Sequence, residues 1–228
     1  MIADYTGSQR EAIKQAIANQ AAVLDVGCGD GAKTHFISQY VKHSVGVDPD
    51  KKLIEFAKRK YPANNIEFHV GCAENLTVAK TLFPAVLFNE SLHHVPADRQ
   101  TLALKESFRV LQAHGTLLII EPIYASGSFA QIMELFSDEK EQKEQAIDAI
   151  EGVIDTEFAL FSKKIINVEY HCHGLDDLFQ YSALPEQDPH QSERFKKEAL
   201  QRLERCAKNS QGDFILDYSA TVWSLVKK

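Results

Sequence analysis

The sequence contains little cysteine and no long apolar segment. Its 228 residues include four cysteines, which are far apart and form no Cys-x-x-Cys pair. No apolar run is long enough to cross a bilayer, and residues 1–5 lack the basic-then-apolar pattern of a signal peptide. Because scattered cysteines are typical of a reducing compartment, we expect free thiols, no membrane span and a cytoplasmic location.

Positive charge is also scarce. Lys and Arg number 25 against 32 Asp and Glu, so the formal net charge is -7 at pH 7. The longest basic runs are Lys51-Lys52, Lys58-Arg59-Lys60 and Lys196-Lys197. Surfaces that bind nucleic acid usually carry a basic patch, so this balance argues against a nucleic-acid partner. The hydrophobic and charged fractions, 44% and 25%, are those of an ordinary globular protein.

Short apolar segments alternate with segments of helical periodicity. Strands are predicted at 22–26, 44–48, 66–70, 85–89, 116–121, 164–173 and 214–226. Helices are predicted at 8–20, through Phe36-Ile37, from a cap at Asp50 to Pro62, from a cap at Asp98 to Leu111, within 126–160 and near 191–208. This alternation predicts an α/β fold with a doubly wound, mostly parallel sheet. In such sheets ligands bind beyond the carboxyl ends of the strands.

The chain shows no linker and no internal repeat. We therefore predict one domain over residues 1–228, with its core at 20–122. Three segments are predicted to form lids over a bound ligand: 1–20, 126–160 and 174–195. Residues 174–190 are expected to be loop-like.

Three glycines at alternate positions follow the first predicted strand, in Asp25-Val26-Gly27-Cys28-Gly29-Asp30-Gly31. Glycine lets a ligand approach the backbone closely, and the N-terminus of the next helix favours an anionic group such as an amino-acid carboxylate. Asp25 would repel the pyrophosphate of a dinucleotide but suits the ammonium of an amino-acid-like ligand. The third glycine comes one place earlier than in G-x-G-x-x-G, unless Ala32 takes that last role. These features favour S-adenosylmethionine over NAD, with Gly27, Gly29 and Gly31 as cofactor contacts.

Two further strand ends complete a predicted adenosine site. Asp48, with Pro49 beside it, ends the second strand, where a carboxylate can accept both hydroxyls of a ribose. NAD-binding proteins keep an acid near this position too, and the alternative is a helix cap or a surface charge. After the third strand, Ala73 and Glu74 are placed to contact adenine, Glu74 through the exocyclic amine, unless this segment is an ordinary loop.

The fourth strand leads into Asn89-Glu90-Ser91-Leu92-His93-His94-Val95. Asn89 and Glu90 are predicted to lie near the cofactor. His93 and His94 are the candidate catalytic residues, because a histidine titrates near neutrality and can take a proton from a hydroxyl or an activated carbon acid. The alternative, which the sequence leaves open, is that the two histidines are structural and pack on the cofactor or on a helix.

Candidate substrate-pocket residues lie further along the chain. Glu121, Pro122 and Tyr124 end the fifth strand at the functional edge, and Tyr124 is predicted to line the pocket. His171 and His173 share one face of the sixth predicted strand. Two histidines are too few for a metal site, so no metal is predicted and a pocket or structural role is preferred.

Together these segments resemble, in order and spacing, the class I S-adenosylmethionine-dependent methyltransferases. The motifs that carry the resemblance lie at 25–31, 47–48, 71–76, 89–95 and 109–117, within residues 20–122. The chain is most similar to the small-molecule branch that includes ubiquinone- and menaquinone-pathway methyltransferases. The resemblance implies a three-layer, Rossmann-like fold whose seven-stranded sheet has an antiparallel last strand. His114 stands where the family usually has Pro or Gly, and we expect this to affect the turn and not the site.

We therefore predict in-line methyl transfer from S-adenosylmethionine to oxygen, carbon or nitrogen of a small-molecule acceptor, with S-adenosylhomocysteine as the product. Family members that methylate planar amines have Asn/Asp-Pro-Pro-Tyr/Phe where this chain has Asn-Glu-Ser-Leu at 89–92, which disfavours nucleobase and glutamine acceptors. The alternatives are an NAD(P)-dependent oxidoreductase on a Rossmann sheet and a non-catalytic methyltransferase-like binding module. The sequence does not define the acceptor, the methylated atom, the need for a general base or the oligomeric state, for which a homodimer is one alternative.

Overall fold

The structure is a computed structural model that describes residues 7–77, 82–179 and 189–228. In chain order the strands are β1 Ala22–Val26, β2 His43–Asp48, β3 Ile66–Val70, β4 Phe83–Asn89, β5 Leu111–Pro122, β6 Phe158–Cys172 and β7 Phe214–Lys227. The helices are α1 Ser8–Ile17, α2 Ala32–Ser38, α3 Lys51–Lys60, α4 Ala97–Val110, α5 Gly127–Met133, α6 Lys140–Val153, α7 Leu175–Phe179 and α8 Pro189–Leu203. A short 3₁₀ turn, Leu92–His94, precedes α4.

The strands form one seven-stranded sheet in the order β3-β2-β1-β4-β5-β7-β6. β1 pairs in parallel with β2 and β4, β2 pairs with β3, and β4 pairs with β5. The last strands run antiparallel. The strand order reverses between β1 and β4, and such a switch point is where α/β sheets bind ligands. The predicted Rossmann-like fold with an antiparallel end is confirmed.

The register of the sheet brings three strand ends to one edge. Val26 of β1 lies opposite Val47 of β2 on one side and opposite Phe88 of β4 on the other. The next residue of each strand therefore lies at the same carboxyl edge. Those residues are Gly27, Asp48 and Asn89.

The central strands are held by burial on both of their faces. Consecutive residues of a strand lie on opposite faces, and Val23 and Leu24 of β1 are both 0% exposed, while Val86 and Leu87 of β4 are 0% and 1% exposed. Continuous apolar sequence of this kind is typical of a parallel strand covered on both sides. The buried central strands therefore fix the positions of the polar residues that follow them.

Contacts divide the chain into two compact units. The described residues of the larger unit are 11–77, 82–121, 142–164 and 221–228. In its hydrophobic core the sheet packs with α4 and α6, and Leu104, Ile150 and Trp223 are at most 1% exposed. This unit contains the carboxyl ends of β1 to β4, and with them all of the predicted cofactor residues.

The smaller unit has a separate core. Its described residues are 7–10, 122–141, 165–179 and 189–220. Tyr170 of β6, Leu203 of α8 and Leu216 of β7 are buried in one cluster. The single domain and its lid segments stay predictions, and parts of two of those segments, 1–6 and 180–188, lie outside the described residues.

The structure corrects the predicted elements between residues 126 and 190. The predicted helical stretch contains α5 and α6 and ends before β6, which begins at Phe158 and so earlier than the predicted strand. The first half of β6 is mostly exposed, so it lacks the apolar alternation by which a strand is recognised. The expected loop contains the short helix α7.

One of the two predicted aspartate caps is confirmed. Asp50 caps α3, because its side chain accepts from the N–H groups of Lys52 and Leu53. The cap predicted at Asp98 is wrong: α4 follows Pro96, no side chain caps it, and Asp98 lies inside the first turn. Its charge there still favours the positive end of the helix dipole.

In the described part of the chain, no helix combines the length and the apolar character that a membrane crossing needs.

Candidate cofactor site

The turn between β1 and α2 is shaped by close packing at two glycines and by open space at a third. A Cβ on Gly27 would lie 2.4 Å from the Cβ of Ser91, and one on Gly31 would lie 2.7 Å from the ring of Phe68. Gly29 has a φ of 53°, and no described atom lies within 4 Å of its Cβ position. Hence Gly27 and Gly31 seat the turn against its neighbours, while Gly29 leaves the backbone accessible to a ligand.

The segment after β4 packs directly on this turn. Ser91 Oγ donates a hydrogen bond to the carbonyl oxygen of Val26 over 2.7 Å. The N–H of Glu90 donates to the carbonyl oxygen of Ile120 over 2.7 Å, and Glu90 has a φ of 55°, which is uncommon for a residue other than glycine. The structure thus places the predicted residues Asn89 and Glu90 beside the glycine turn.

Asp48 joins the end of β2 to the same turn. Its Oδ2 accepts from the N–H of Gly29 over 2.9 Å, and its Oδ1 accepts from the N–H of Asp50 over 2.8 Å. Two backbone groups therefore orient the carboxylate. An ionised carboxylate has about four acceptor positions, so capacity remains for the hydroxyls of a ribose. Pro49, the neighbouring predicted contact, is exposed.

Asp25 is buried near the end of β1, with 1% of its surface exposed. Thr34 Oγ1 donates to its Oδ2 over 2.6 Å. Burial raises the pKa of the Asp25 carboxyl to about 6, although the hydrogen bond from Thr34 and the charge of Lys33 oppose the rise. Above that pH the group places a negative charge beside the glycine turn, so it influences a ligand through its field.

Glu74 is bound by an arginine that the sequence analysis did not identify. Arg99 Nη1 donates to Glu74 Oε1 over 2.8 Å, and this hydrogen bond holds the pKa of the Glu74 carboxyl below its usual range. Ala73 beside it is buried. The predicted adenine contact is therefore a carboxylate that is ionised and oriented, with Arg99 fixing it from the first turn of α4.

Asn89 carries a buried polar atom that lacks a partner. Its Oδ1 accepts no hydrogen bond from any described residue. Leaving a buried acceptor unsatisfied costs about 1–3 kcal/mol. Since Asn89 ends β4 at the switch point, a hydrogen-bond donor on a bound ligand is the natural way to satisfy this oxygen.

His93 forms a buried pair with Glu121, which lies next to the last residue of β5. His93 and Glu121 are 4% and 2% exposed, and His93 Nδ1 is hydrogen-bonded to Glu121 Oε2. Glu121 Oε1 accepts from the N–H of Leu92 over 2.9 Å. The ring of His94 lies with its centroid 4.0 Å from that of His93, but His94 is exposed. The sequence predicts that Glu121 lies at a strand end, but it does not predict the contact with His93.

The three predicted pocket residues belong to the smaller unit, where each has its own partners. Tyr124 has Lys140 Nζ 6.0 Å from its ring centroid. His171 Nε2 is hydrogen-bonded to a glutamate of the same strand, Glu169, over 2.7 Å. His173 Nδ1 contacts Asp213 Oδ1. A hydrogen bond from the side chain of Asn209 lowers the pKa of the Asp213 carboxyl, and His173 lowers it further.

Several features of the larger unit fit S-adenosylmethionine. Gly29 offers open backbone, Asp48 has spare acceptor capacity, and Asn89 has an unsatisfied acceptor. A dinucleotide fits less well, because the buried Asp25 places a carboxylate beside the turn that would hold its pyrophosphate. The site is therefore suited to an adenosine cofactor with a cationic, amino-acid-like end.

Comparison with known sequences gives the same assignment. Residues 24–119 match a family model described as a methyltransferase domain. YcgJ, an uncharacterized methyltransferase of Bacillus subtilis strain 168, is 33% identical over 103 residues, which cover 43% of this chain and 40% of YcgJ. A fatty-acid O-methyltransferase of Mycolicibacterium smegmatis is 33% identical over 106 residues, which cover 46% of this chain and 38% of that protein. The chain thus spans about two fifths of the length of these curated relatives.

Solved structures share the fold over nearly the whole chain. The crystal structure of YcgJ has a TM-score of 0.63 at 20% identity and covers 98% of this chain and 99% of its own. The N-methyltransferase NodS of Bradyrhizobium japonicum WM9, in complex with S-adenosylhomocysteine, has a TM-score of 0.56 at 11% identity, with 96% and 84% covered. At these identities the likeness shows the fold alone.

The family match extends from β1 into β5, so it contains the ends of β1, β2, β3 and β4 described above. The sheet order and the solved structures agree with it independently of sequence identity. The segment from β1 into β5 therefore matches a methyltransferase domain, and the solved methyltransferase structures share the fold of the sheet that carries it.

Proposed function

We propose that this chain transfers the methyl group of S-adenosylmethionine to a small-molecule acceptor. The observation that carries the proposal is the hydrogen bond from the N–H of Gly29 to Asp48. It joins the turn glycine that has open space to the strand-end carboxylate that suits a ribose. The match of residues 24–119 to a methyltransferase domain supports the reaction, while the acceptor class rests on the charge and sequence of this chain.

The proposed cofactor contacts follow the strand ends in order. They are Asp25, Gly27, Gly29, Gly31, Asp48, Pro49, Ala73, Glu74, Asn89 and Glu90. The negative field of Asp25 would favour the ammonium group at the methionine end, and Asp48 would accept the ribose hydroxyls. Glu74 would accept the exocyclic amine of adenine, and a donor on the ligand would satisfy Asn89 Oδ1.

The chain would accelerate methyl transfer mainly by positioning. When bound, S-adenosylmethionine supplies a methyl group that a positively charged sulfur already activates. The glycine turn and Asp48 would hold the cofactor in a fixed position. An acceptor atom placed in line with the methyl group and the sulfur would then face a lower activation barrier. His93 or His94 would act as a base only where the acceptor must lose a proton.

A small-molecule acceptor is supported by the net charge of -7, which is unlike that of nucleic-acid-binding proteins. The sequence at 89–92 lacks the Pro-Pro of amine-methylating members, and one relative is named a fatty-acid O-methyltransferase. Tyr124, His171 and His173 stay the proposed pocket residues. The ubiquinone- and menaquinone-type branch, the cytoplasmic location and the oligomeric state stay predictions.

Titration calorimetry with S-adenosylhomocysteine tests the cofactor assignment. We expect micromolar binding, and we expect Asp48→Asn to weaken it at least about tenfold, because one charged acceptor of the ribose is lost. Asp148→Asn, at an exposed position of α6, is the matched control and should bind like the wild type. No binding by the wild-type protein would contradict the proposal, and a thermal shift with NAD alone would favour the oxidoreductase.

A further inference from the structure

A cavity of about 720 Å³ lies within the smaller unit, at α5, the end of α8 and the first residues of β7. Its volume is within the range of small-molecule sites, about 300–1,000 Å³. The described residues that line it include none of the proposed cofactor contacts and none of the proposed pocket residues. This cavity therefore has no part in the proposed methyl transfer.

Arg202 of α8 lines this cavity and is held in one orientation. Its Nη1 donates to the carbonyl oxygen of Gln131 in α5 over 2.5 Å, and its Nη2 donates to Glu198 Oε1 over 2.7 Å. A guanidinium has more N–H donors than these two bonds use, so it can bind a ligand as well. Because its position is fixed before binding, little side-chain entropy is lost when a ligand arrives.

Arg205, just beyond the end of α8, adds a second guanidinium. It is exposed, and no described residue forms a hydrogen bond or an ion pair with its side chain. A second cavity, of about 480 Å³, shares Arg202 and Arg205 and is also lined by Arg194 and Lys197. The carboxylate among its described lining residues, Glu198, is already paired with Arg202. This local excess of positive charge contrasts with the net charge of -7 of the whole chain, and it would attract an anion.

Asp217 of β7 gives the first cavity a hydrogen-bond acceptor. Its Oδ1 accepts from the N–H and from the Oγ of Ser128 over 3.1 and 2.6 Å. Asp217 is exposed and its Oδ2 accepts no hydrogen bond from a described residue, so this oxygen is open to a hydroxyl group of a ligand. The same carboxylate would repel a ligand that is anionic along its whole length, such as a nucleic-acid strand.

We propose that this cavity binds a phosphate monoester of a small polyhydroxy compound. Arg202 and Arg205 bind the phosphate, because guanidinium groups suit the geometry of phosphate oxygens. Asp217 accepts a hydrogen bond from a hydroxyl group of the same ligand. Arg202 is the anchored partner of the phosphate, and Arg205 is the partner that gains its first ion pair when the ligand binds.

Titration calorimetry with glycerol phosphate and glucose 6-phosphate tests the site at about pH 8 and about 0.15 M ionic strength, where the Debye length is about 8 Å. Methyl phosphate, which has no hydroxyl group on carbon, and glucose each supply only part of the ligand. Arg205→Gln removes the guanidinium, and Asp217→Asn removes the acceptor charge. Lys196→Gln is the matched control, because Lys196 is an exposed cation of α8 that is not among the described lining residues of either cavity.

We expect at least one of the two esters to bind with a Kd below about 1 mM, and glucose not to bind at the same concentrations. Arg205→Gln should weaken the ester at least about tenfold, since charge-assisted hydrogen bonds are lost, and Lys196→Gln should change its affinity less than about twofold. Asp217→Asn should weaken the ester but not methyl phosphate, which offers Asp217 no hydroxyl group. Where Asp217→Asn does not fold, Arg205→Gln and its control carry the test.

Several results would overturn the proposal. Binding of neither ester to the wild-type protein would remove the site, and equal losses in Arg205→Gln and Lys196→Gln would mean that only diffuse surface charge attracts the ester. Tighter binding of succinate or of a mixed-sequence oligonucleotide than of either ester would assign the cavity to another class of anion. Failure of the proposed function is a separate observation, because it would show as wild-type protein that does not bind S-adenosylhomocysteine.

Discussion

The two units of this chain differ in how their residues are distributed along the sequence. The proposed cofactor residues all lie between positions 25 and 90, in one continuous segment of the larger unit, whereas the smaller unit is assembled from separate segments. In the larger unit, Gly29 binds Asp48 across 19 positions, and Thr34 binds Asp25 across nine. In the smaller unit, Ser128 binds Asp217 across 89 positions. A cofactor site built from consecutive strands leaves compact motifs in the sequence, whereas a unit assembled from distant segments leaves none. This explains why the sequence identifies a cofactor more readily than an acceptor.

The largest expected difference between the two units is in the stability lost when a glycine is replaced by alanine. Gly27→Ala should lower the free energy of unfolding by about 4 kcal/mol, since it combines overpacking against Ser91 with an unfavourable φ of 75°. Gly212→Ala, in the smaller unit, also has a positive φ but open space, and should cost about 1 kcal/mol. Urea unfolding measures both.

The double variant Gly27→Ala with Ser91→Gly separates the two causes. It should recover the overpacking part, less about 1 kcal/mol for the lost hydrogen bond from Ser91 to Val26, and retain the backbone part. Equal losses for Gly27→Ala and Gly212→Ala would show that close packing does not distinguish the glycine turn.

Asp25→Asn should stabilise the protein at pH 8 by up to about 3 kcal/mol. Burial raises the pKa of this carboxyl from its ordinary value of 3.8 to about 6 in the folded protein, so folding takes up a proton between these values. Stability therefore falls as pH rises through this window, and the substitution removes that cost. Thermal unfolding at pH 4 and pH 8 measures the effect, which should be near zero at pH 4.

The same variant should bind S-adenosylhomocysteine more weakly, because it removes the negative field beside the turn. Asp148→Asn, on the surface of α6, should change neither property. Unchanged stability of Asp25→Asn at pH 8 would mean that burial does not raise the pKa of this carboxyl.

The smallest expected effect lies in the smaller unit. Ser128 Oγ donates to Asp217 Oδ1 over 2.6 Å and accepts from the N–H of Asp217 over 3.0 Å. Ser128→Ala should therefore cost about 1 kcal/mol of stability, measured by urea unfolding, and leave S-adenosylhomocysteine binding unchanged. A loss of that binding comparable to the loss in Asp48→Asn would show that cofactor binding depends on the smaller unit as much as on the glycine turn.

The strand ends of the cofactor site were predictable because each is a local pattern. The glycines at 27, 29 and 31 and the acid at 48 follow apolar segments whose continuous burial the sequence displays. His114 has a φ of 60°, which is uncommon for a residue other than glycine, and its effect on the turn stays a prediction. In these segments the residue type that the backbone conformation needs lies within a few positions of the strand that it follows, so a local pattern is enough to find it.

Contacts that depend on sheet register were not predictable. Glu121 lies 28 positions from His93, and Arg99 lies 25 from Glu74. The partner of His93 follows only once β4 and β5 are aligned, and the partner of Glu74 only once α4 is placed beside the segment after β3. The start of β6 was missed for a different reason, since an exposed strand needs no alternating apolar residues.

The hydrogen bond between Gly29 and Asp48 has a practical consequence. The amide proton of Gly29 is held by the carboxylate proposed to bind the ribose, so its resonance frequency would respond to whatever shares that acceptor. The NMR signal of a single labelled glycine could then report whether the site is occupied during a ligand screen. Such a screen needs neither the identity of the methyl acceptor nor a measurement of methyl transfer.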